Sequence, residues 1–143
     1  MTDGTPTAGA PSESACRAEI ERLHDAFVAW YTATVEEGSF DRIGDALGPD
    51  FEMVTPDGDR VGRAAVLDSI REQYGRDAPG AFDIEISNVE RRDATDERAT
   101  VRYEEWQAVD GETTGRVSTV SFRVDPTAPG GLLWLDVHET WLD

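Results

Sequence analysis

Apolar residues recur every three or four positions through the first quarter of the chain. Between residues 16 and 38 they mark one face of a helix, formed by Ile20, Leu23, Phe27, Trp30, Tyr31 and Thr34. Gly38 supplies a stop signal, and Ser39 is placed to cap a second, short helix over residues 40–47. The same spacing returns over residues 63–75. The pattern therefore predicts one long helix followed by two shorter ones.

The remainder of the chain alternates apolar and polar residues, which is typical of half-buried β-strands. A compact hairpin is predicted over residues 51–62, around a Pro-Asp-Gly turn. Four longer strands follow, over residues 81–93, 97–111, 113–126 and 131–143. Because most strands follow the helices instead of alternating with them, we predict an α+β fold. Its sheet is mostly antiparallel and is covered by helices on one face.

The first 14 residues differ in composition from the rest of the chain. Residues 1–14 are rich in Gly, Pro, Ser and Thr and contain acidic residues, so they cannot bury enough apolar surface to order themselves. We predict a flexible tail there and one domain over residues 15–143, a length sufficient for a single core. No stretch approaches the ~20 apolar residues of a membrane helix, and the N-terminus lacks the pattern of a signal peptide.

The charge balance narrows the range of partners. The chain has 30 acidic and 13 basic residues, a formal net charge of −17, and every basic residue is arginine. Such a surface repels phosphate backbones and anionic lipids, so neither nucleic acid nor membrane is an expected partner. It also resembles the lysine-free, acidic surfaces of halophilic archaeal proteins, which high salt screens. The lone cysteine, Cys16, excludes an internal disulfide and favours a cytoplasmic location.

The stretch VEEGSFDRIGDALGPDFEMVTPDGDRVGRAAV, residues 35–66, resembles the nuclear transport factor 2-like superfamily. More narrowly, it resembles the SnoaL-like and calcium/calmodulin-dependent kinase association-domain-like members. The last strand adds matching residues, which are Trp134, Val137, His138, Glu139 and Trp141. The resemblance covers about residues 17–142. It implies a cystatin-like cone, in which a strongly curved sheet wraps the long N-terminal helix and leaves a pocket.

The resemblance does not imply one activity, because the superfamily contains isomerases, cyclases, dehydratases, hydrolases and non-catalytic assembly modules. Its ketosteroid isomerases carry an aspartate base immediately before the proline that ends the first hairpin strand. Here Thr55 precedes Pro56, and a threonine cannot act as that base at neutral pH. Steroid isomerisation by the same mechanism is therefore not expected.

Strand alternation sorts the polar side chains between the two faces of the sheet. In the last strand Leu133, Leu135 and Val137 define the helix-facing side, so Glu139 and Trp141 are predicted to continue it. The opposite face would carry Trp134, Asp136, His138 and Thr140. Along residues 97–111 the inward positions are Val101, Tyr103, Glu105 and Gln107. A β-bulge, or a slip of one residue, would invert this assignment.

The first site hypothesis is a pocket enclosed by the helix-facing side of the sheet. Its predicted lining is Phe27, Trp30, Tyr31, Met53, Tyr74, Tyr103 and Trp141, with the carboxyls of Glu105 and Glu139 among the aromatic rings. An apolar pocket can raise the pKa of one carboxyl and make it a general acid or base. Alternatively, both glutamates lie ionised at an open rim and the aromatic residues are ordinary core.

The second hypothesis concerns the outer face, predicted to carry Arg102, Trp106, Trp134 and His138. His138 beside Asp136 or Glu104 could shuttle a proton, and it is the third catalytic candidate. Alternatively, this mixture of aromatic residues and arginine is a homodimer interface. His24 is assigned to the flank of the long helix, although a place in the pocket stays open.

The spacing of potential ligands predicts neither a metal site nor a cofactor, because the two histidines are far apart and no Gly-rich phosphate loop occurs. Three classes of function are left open. The chain could be an enzyme of the isomerase, cyclase or hydrolase type, a binder of a small apolar molecule, or a homodimerisation module.

Overall fold

The computed structural model describes residues 10–142. Of the predicted tail, residues 1–9 lie outside the described part of the chain. Pro11 is buried, and its carbonyl accepts a hydrogen bond of 2.7 Å from Arg91. Ser12 caps the first helix by accepting the Ala15 N–H at 3.0 Å, so the helix begins two residues before the domain boundary predicted from composition.

The architecture is one six-stranded sheet with helices packed on one face. The elements are α1 (Glu13–Tyr31), a 3₁₀ turn (Glu37–Phe40), α2 (Asp41–Gly44), β1 (Leu47–Val54), β2 (Arg60–Gly62), α3 (Arg63–Glu72), β3 (Phe82–Thr95), β4 (Arg98–Val109), β5 (Glu112–Val124) and β6 (Leu132–Leu142). The strand order is β2-β1-β6-β5-β4-β3, and all neighbours are antiparallel except β1 and β6. The predicted α+β fold, with a curved and mostly antiparallel sheet and three helices, is confirmed.

The core lies between α1 and the concave face of the sheet. Ile20, Leu23 and Trp30 of α1 are at most 2% exposed. They pack in one cluster with Val101 of β4 and Phe122 of β5, both fully buried. This burial is the main stabilising contribution, because each large apolar side chain removed from water is worth about 1.5–3 kcal/mol. The apolar stripe read from the sequence is therefore what binds α1 to the sheet.

The end of α1 differs from the prediction, because the helix stops at Tyr31 and not at Gly38. Ala33 adopts a φ of 51°, and its N–H bonds to the Trp30 carbonyl, while the Thr34 N–H bonds to the Ala29 carbonyl. This pair of bonds is a Schellman motif, which usually places glycine where Ala33 stands. The neighbouring loop also caps the helix, since the Gly75 N–H bonds to the Trp30 carbonyl at 3.1 Å.

A β-bulge in the last strand also changes the prediction. Phe122 pairs with Trp134 while Ser121 pairs with Asp136, so Leu135 is an extra residue opposite no partner. The extra residue shifts the alternation of the two faces by one position, so an assignment made on one side of the bulge does not hold on the other. Trp134 therefore points into the core, 2% exposed, and its assignment to the outer face was wrong. Further register shifts in β3, on either side of Glu90, occur at bulges that bend the sheet.

Candidate functional site

A cavity of about 280 Å³ lies between α1, α3 and the concave face of the sheet. Its wall is mostly apolar, and it is lined by Leu23, His24, Phe27, Tyr31, Leu47, Phe51, Met53, Thr55, Val61, Ala65, Val66, Ser69, Ile70, Ile84, Tyr103, Glu105, Gln107, Arg116, Trp134, Val137 and Glu139. Ala65 and Ser69 of α3 are exposed and lie at its mouth. Four ionisable side chains, from α1, β4, β5 and β6, meet in this otherwise apolar space.

The first polar contact joins α1 to β4. His24 is 5% exposed, and its Nε2 lies 3.1 Å from Oε1 of Glu105. Its Nδ1 lies 2.7 Å from the Ile20 carbonyl oxygen, one helical turn earlier. A carbonyl and a carboxylate only accept hydrogen bonds, so both ring nitrogens must carry protons. His24 is therefore an imidazolium that donates to both partners.

The electrostatics of the pair agree with this geometry. Burial lowers the pKa of His24, but the charge of Glu105 and the hydrogen bonds to Glu105 and Ile20 outweigh it, so the net shift is upward. Burial raises the pKa of Glu105, but the His24 charge, the His24 hydrogen bond and the Gln107 amide together lower it. Gln107 donates its Nε2 to Oε2 of Glu105 at 2.6 Å. Each partner holds the other in its charged form.

The second polar contact lies between β5 and β6. Glu139 is 9% exposed, and its two oxygens have only long contacts, at 3.3 Å from Nη1 of Arg116 and 3.4 Å from Oγ of Ser118. Burial and the nearby Glu105 charge raise the pKa of Glu139, and Arg116 opposes that shift. Within the part of the chain that the structure describes, the buried Nε of Arg116 has no hydrogen-bond partner.

Two tyrosines complete the polar lining and stay neutral. Burial, with the charges of Glu105 and Glu139, raises the pKa of Tyr103 well above its ordinary value. Burial raises the pKa of Tyr31 to about 12, although the Arg76 guanidinium over its ring opposes this shift. Both phenols therefore stay protonated at neutral pH, as hydrogen-bond donors and not as bases.

The structure places most of the predicted pocket residues on the cavity wall. Phe27, Tyr31, Met53, Tyr103, Glu105 and Glu139 all line it. Trp30 and Tyr74 do not. Their ring centroids are 4.5 Å apart in the core, where Trp30 donates to the Ile70 carbonyl and Tyr74 to the Val35 carbonyl, both at 2.7 Å. These two hydrogen bonds satisfy the polar ends of rings that the sequence assigned to the pocket.

Trp141 is also outside the cavity wall, contrary to the prediction. It is 43% exposed, and its indole N–H donates to Asp57 in the β1–β2 turn at 3.1 Å. The Arg116 guanidinium stacks on its ring, 4.7 Å from the centroid. Trp141 thus covers the outer side of the arginine whose inner side faces Glu139.

The outer face of the sheet carries three of the four residues predicted there. Arg102 is exposed and pairs with Glu90 at 2.9 Å, and His138 is exposed opposite Thr119. Trp106 is half-buried against Gly115, where an added Cβ would overlap the indole. The fourth residue, Trp134, lines the cavity instead, and its indole N–H donates to the buried carboxylate of Glu19 at 2.8 Å.

Of the four ionisable residues, sequence reasoning favoured the helix flank for His24, with a place in the pocket left open, and missed Arg116. His24 lies four residues after Ile20 and three before Phe27, so it belongs to the apolar stripe of α1 and not to its flank. Arg116 lies two residues before the fully buried Ser118 on the same strand, and this spacing of two places it on the inner face. Both positions were available from periodicity alone. Periodicity did not show that His24 pairs with Glu105 or that Arg116 lies beside Glu139.

Residues 10–142 contain no group of three or more His, Cys, Asp or Glu side chains placed to hold a metal ion. Thr55, which the resemblance aligns with the isomerase base, lines the cavity. Its hydroxyl oxygen accepts a hydrogen bond from the Asp59 N–H at 3.1 Å.

Across the same described range, none of the helices has the length and apolar character needed to cross a bilayer.

The cone-shaped sheet around α1 and the pocket inside it define a nuclear transport factor 2-like, cystatin-like protein. The chain belongs to the family described as "Sucrose-6-phosphate phosphohydrolase C-terminal", whose sequence model matches residues 17–143. That description differs from the narrower SnoaL-like placement suggested by residues 35–66. No curated protein matches the chain.

Solved structures support the same superfamily. An NTF-2 like protein of unknown function from Pseudomonas aeruginosa is 28% identical, with a TM-score of 0.82, over 90% of this chain and 99% of that one. The CaMKII hub of S. rosetta is 16% identical, with a TM-score of 0.71, over 96% of this chain and 100% of that one. An uncharacterized protein with a cystatin-like fold from Caulobacter vibrioides is 15% identical, with a TM-score of 0.65, over 91% of this chain and 89% of that one. The last two show a shared fold alone.

Proposed function

We propose that the chain binds a small, mostly apolar molecule without negative charge in the cavity inside the cone. The observation that carries the proposal is the cavity itself: a continuous apolar wall with one cluster of buried ionisable groups at its polar end. Ligand sites in proteins usually combine these two features, since the apolar wall supplies affinity and the few polar groups supply orientation.

The size of the cavity limits the ligand. Its volume of about 280 Å³ is slightly below the range of roughly 300–1,000 Å³ that is usual for ligand pockets. A molecule of one or two small rings therefore fits the proposal better than a large or extended one. The residues at the mouth, Ala65 and Ser69, have small side chains, which leaves the entrance open.

Electrostatics disfavour an anionic ligand. Glu105 and Glu139 lie at the polar end of the cavity, and the whole chain has a net charge of −17. The net charge repels a phosphate ester, and the two cations of the cavity, His24 and Arg116, already lie beside Glu105 and Glu139. We therefore do not propose that this chain hydrolyses sucrose 6-phosphate, although the description of its family contains the name of that phosphohydrolase.

Acid–base catalysis in the same cavity is the second candidate, and Glu139 is the observation that favours it. Burial and the Glu105 charge raise the pKa of Glu139, so this carboxyl can exchange a proton closer to neutral pH than an ordinary glutamate. An isomerase, cyclase or hydrolase reaction would use it as acid or base. Of the other two candidates, Glu105 is paired with His24, and His138 lies on the outer face, away from the cavity.

A thermal-shift screen of small ring compounds at high salt tests the binding proposal. A ligand present at about 100 times its dissociation constant stabilises the fold by about 2.7 kcal/mol. Ala65→Phe, at the mouth of the cavity, is expected to abolish the shift by filling the entrance. Ala64→Phe, on the exposed side of the same helix, is the matched control and is expected to keep it. A shift that survives Ala65→Phe would contradict binding in this cavity.

We also propose that the outer face of the sheet forms a homodimer. Arg102, Val117, Thr119, His138 and Leu142 line a shallow groove on that face. One neighbour of similar fold is a CaMKII hub. Val117→Glu would add a charge to the lining of the groove and is expected to convert the dimer to a monomer in light-scattering measurements. Ala64→Glu, away from the sheet, is expected to leave the dimer intact. A wild-type chain that is monomeric would end this proposal.

A further inference from the structure

The four ionisable groups of the cavity are not equally available to a ligand. His24 uses both ring nitrogens, on Glu105 and on the Ile20 carbonyl. Glu105 uses both oxygens, on His24 and on the Gln107 amide. These contacts are 2.6–3.1 Å long, within the range of good hydrogen bonds. The His24–Glu105 pair therefore fixes α1 against β4 and offers a ligand no free donor. The pKa of Glu105 is lowered to about 2, so its carboxylate is also a weak base.

The Glu139–Arg116 pair, by contrast, has longer contacts and an unused hydrogen-bond donor. Both contacts of the Glu139 carboxyl exceed 3.2 Å, which is longer than a good hydrogen bond to a charged group. Arg116 has a buried Nε–H with no partner among the residues that the structure describes. A buried donor without an acceptor costs about 1–3 kcal/mol. One additional oxygen atom would therefore stabilise this end of the cavity.

We propose that Glu139, Arg116 and Ser118 form a subsite for one carbonyl oxygen of an uncharged ligand, whose apolar part lies against the remaining cavity wall. The inference rests on the proposed binding function and names the chemistry that orients the ligand. A carbonyl oxygen accepts two hydrogen bonds. The subsite supplies the unpartnered Nε–H of Arg116 at every pH, and the carboxyl O–H of Glu139 as a second donor whenever that carboxyl carries a proton.

The alternatives carry charge and fit less well. A carboxylate would lie beside the ionised carboxylate of Glu105, and an ammonium group would lie beside Arg116 and the His24 imidazolium. In a cavity with low exposure to water, like charges repel strongly. A carbonyl group avoids both costs. Binding sites built to hydrogen-bond one polar group discriminate strongly against analogues that lack it, because the buried partners are then left unpaired.

The proposal predicts proton-linked binding. The groups that face Glu139 are Glu105 and Tyr103 of β4, Arg116 and Ser118 of β5, and His24 of α1. A carbonyl ligand binds the protonated carboxyl more tightly than the carboxylate. Its affinity is therefore highest in acid and falls as the pH rises through the pKa of Glu139, which burial has raised. Tyr103 does not contribute, because its pKa is well above neutral.

A matched series of one-ring probes tests the subsite: cyclohexanone, cyclohexanecarboxylate, cyclohexylammonium and methylcyclohexane. Each is titrated into the full chain and followed by two-dimensional amide NMR. We expect cyclohexanone to bind about tenfold more tightly than each of the other three probes, and its affinity to fall with rising pH. This comparison uses the wild-type chain, so it does not depend on whether a variant folds.

Two substitutions then locate the effect. Arg116→Lys keeps the charge but has no Nε–H in this position, and it is expected to weaken cyclohexanone binding about tenfold. Arg17→Lys, at an exposed position of α1 that lines neither the cavity nor the outer-face groove, is the matched control and should change nothing. Glu139→Gln keeps a donor at every pH, so it is expected to retain binding and lose its pH dependence.

The outcomes separate the two proposals. If methylcyclohexane or a charged probe binds in the cavity as tightly as cyclohexanone, the carbonyl subsite is wrong while the binding function stands. Cyclohexanone binding that is unaffected by Arg116→Lys has the same consequence. If none of the four probes causes saturable shifts of cavity residues, both the subsite and the proposed binding of small ring compounds are wrong.

Discussion

At the scale of single residues, the buried ion pair of His24 and Glu105 contributes most to the electrostatics of this cavity. The two residues are 81 positions apart, and each side chain is at most 6% exposed. Removing one partner of a buried ion pair strands the other charge, at a cost of about 3–5 kcal/mol. Replacing both partners by apolar residues of similar size is often neutral, because two desolvation costs disappear together.

We therefore expect His24→Leu to lower the free energy of unfolding by about 3 kcal/mol or more at neutral pH. The double variant His24→Leu/Glu105→Leu should lose much less. Chemical denaturation of the two variants and the wild type checks this prediction. The exposed pair of Arg60 and Glu52 is the control, since its removal should cost under about 1 kcal/mol. Equal losses in the single and double variants would show that the two charges are not coupled.

The same pair predicts how stability depends on pH. The pKa of His24 is raised, so its contribution is complete below its ordinary pKa of 6.5 and is lost as the pH rises through the folded value. The pKa of Glu105 is lowered, so its contribution is complete above its ordinary pKa of 4.5 and is lost as the pH falls toward the folded value. Both contributions are therefore present together between these two ordinary values.

The measurement that checks this window compares the wild type with the double variant across pH. The double variant lacks both titrating groups, so the difference in unfolding free energy reports the pair together with its effect on the pKa of Glu139. We expect that difference to favour the wild type most between the two ordinary pKa values and to shrink on both sides. A difference that does not change with pH would contradict the ion pair.

At the scale of elements, the ends and irregularities of α1 and β6 decide where side chains point. The Schellman motif ends α1 seven residues before Gly38, and the Leu135 bulge turns Trp134 inward. The position of a helix end depends on which carbonyls find partners, and part of the cap of α1 comes from the Gly75 N–H, more than 40 residues away. Local propensity could not supply that contact.

The helix end gives a prediction at this scale. Ala33 holds a positive φ of 51° at an exposed position, a conformation that costs a residue with a Cβ about 1–2 kcal/mol. Ala33→Gly is therefore expected to raise the free energy of unfolding by up to about 1 kcal/mol. Ala18→Gly, the same substitution at an exposed position inside α1, should lower it by about 1 kcal/mol. Thermal or chemical denaturation checks both signs, and equal losses would contradict the motif.

At the scale of the whole molecule, the net charge is the dominant feature. A formal charge of −17 on 143 residues repels itself in the folded state more than in the expanded unfolded state. Salt screens this repulsion, because the Debye length falls from about 10 Å at 0.1 M ionic strength to about 3 Å at 1 M. Stability should therefore increase with salt over this interval.

We expect the melting temperature to rise by several degrees between about 0.1 M and about 1 M sodium chloride, the range over which the screening length falls. The control is a variant in which several exposed acids of the outer surface are replaced by their amides, which should melt higher at low salt and respond less to added salt. Differential scanning calorimetry measures both. A wild-type chain whose melting temperature is independent of salt would contradict a folded state limited by charge repulsion.

The sequence by itself determined the class of fold, the order of the elements and the apolar face of α1. These depend on periodicity, which is a local property of the chain. It also placed Glu105 and Glu139 on the inner face, since no bulge separates Glu105 from Tyr103 or Glu139 from Val137. Only the tertiary structure decided that Trp134 lines the cavity, that Trp141 lies outside it, and that His24 closes on Glu105. Those outcomes depend on a bulge and on contacts between strands and helices that are distant in sequence. The energies of such contacts depend on the tertiary neighbours of each residue, which local periodicity does not identify.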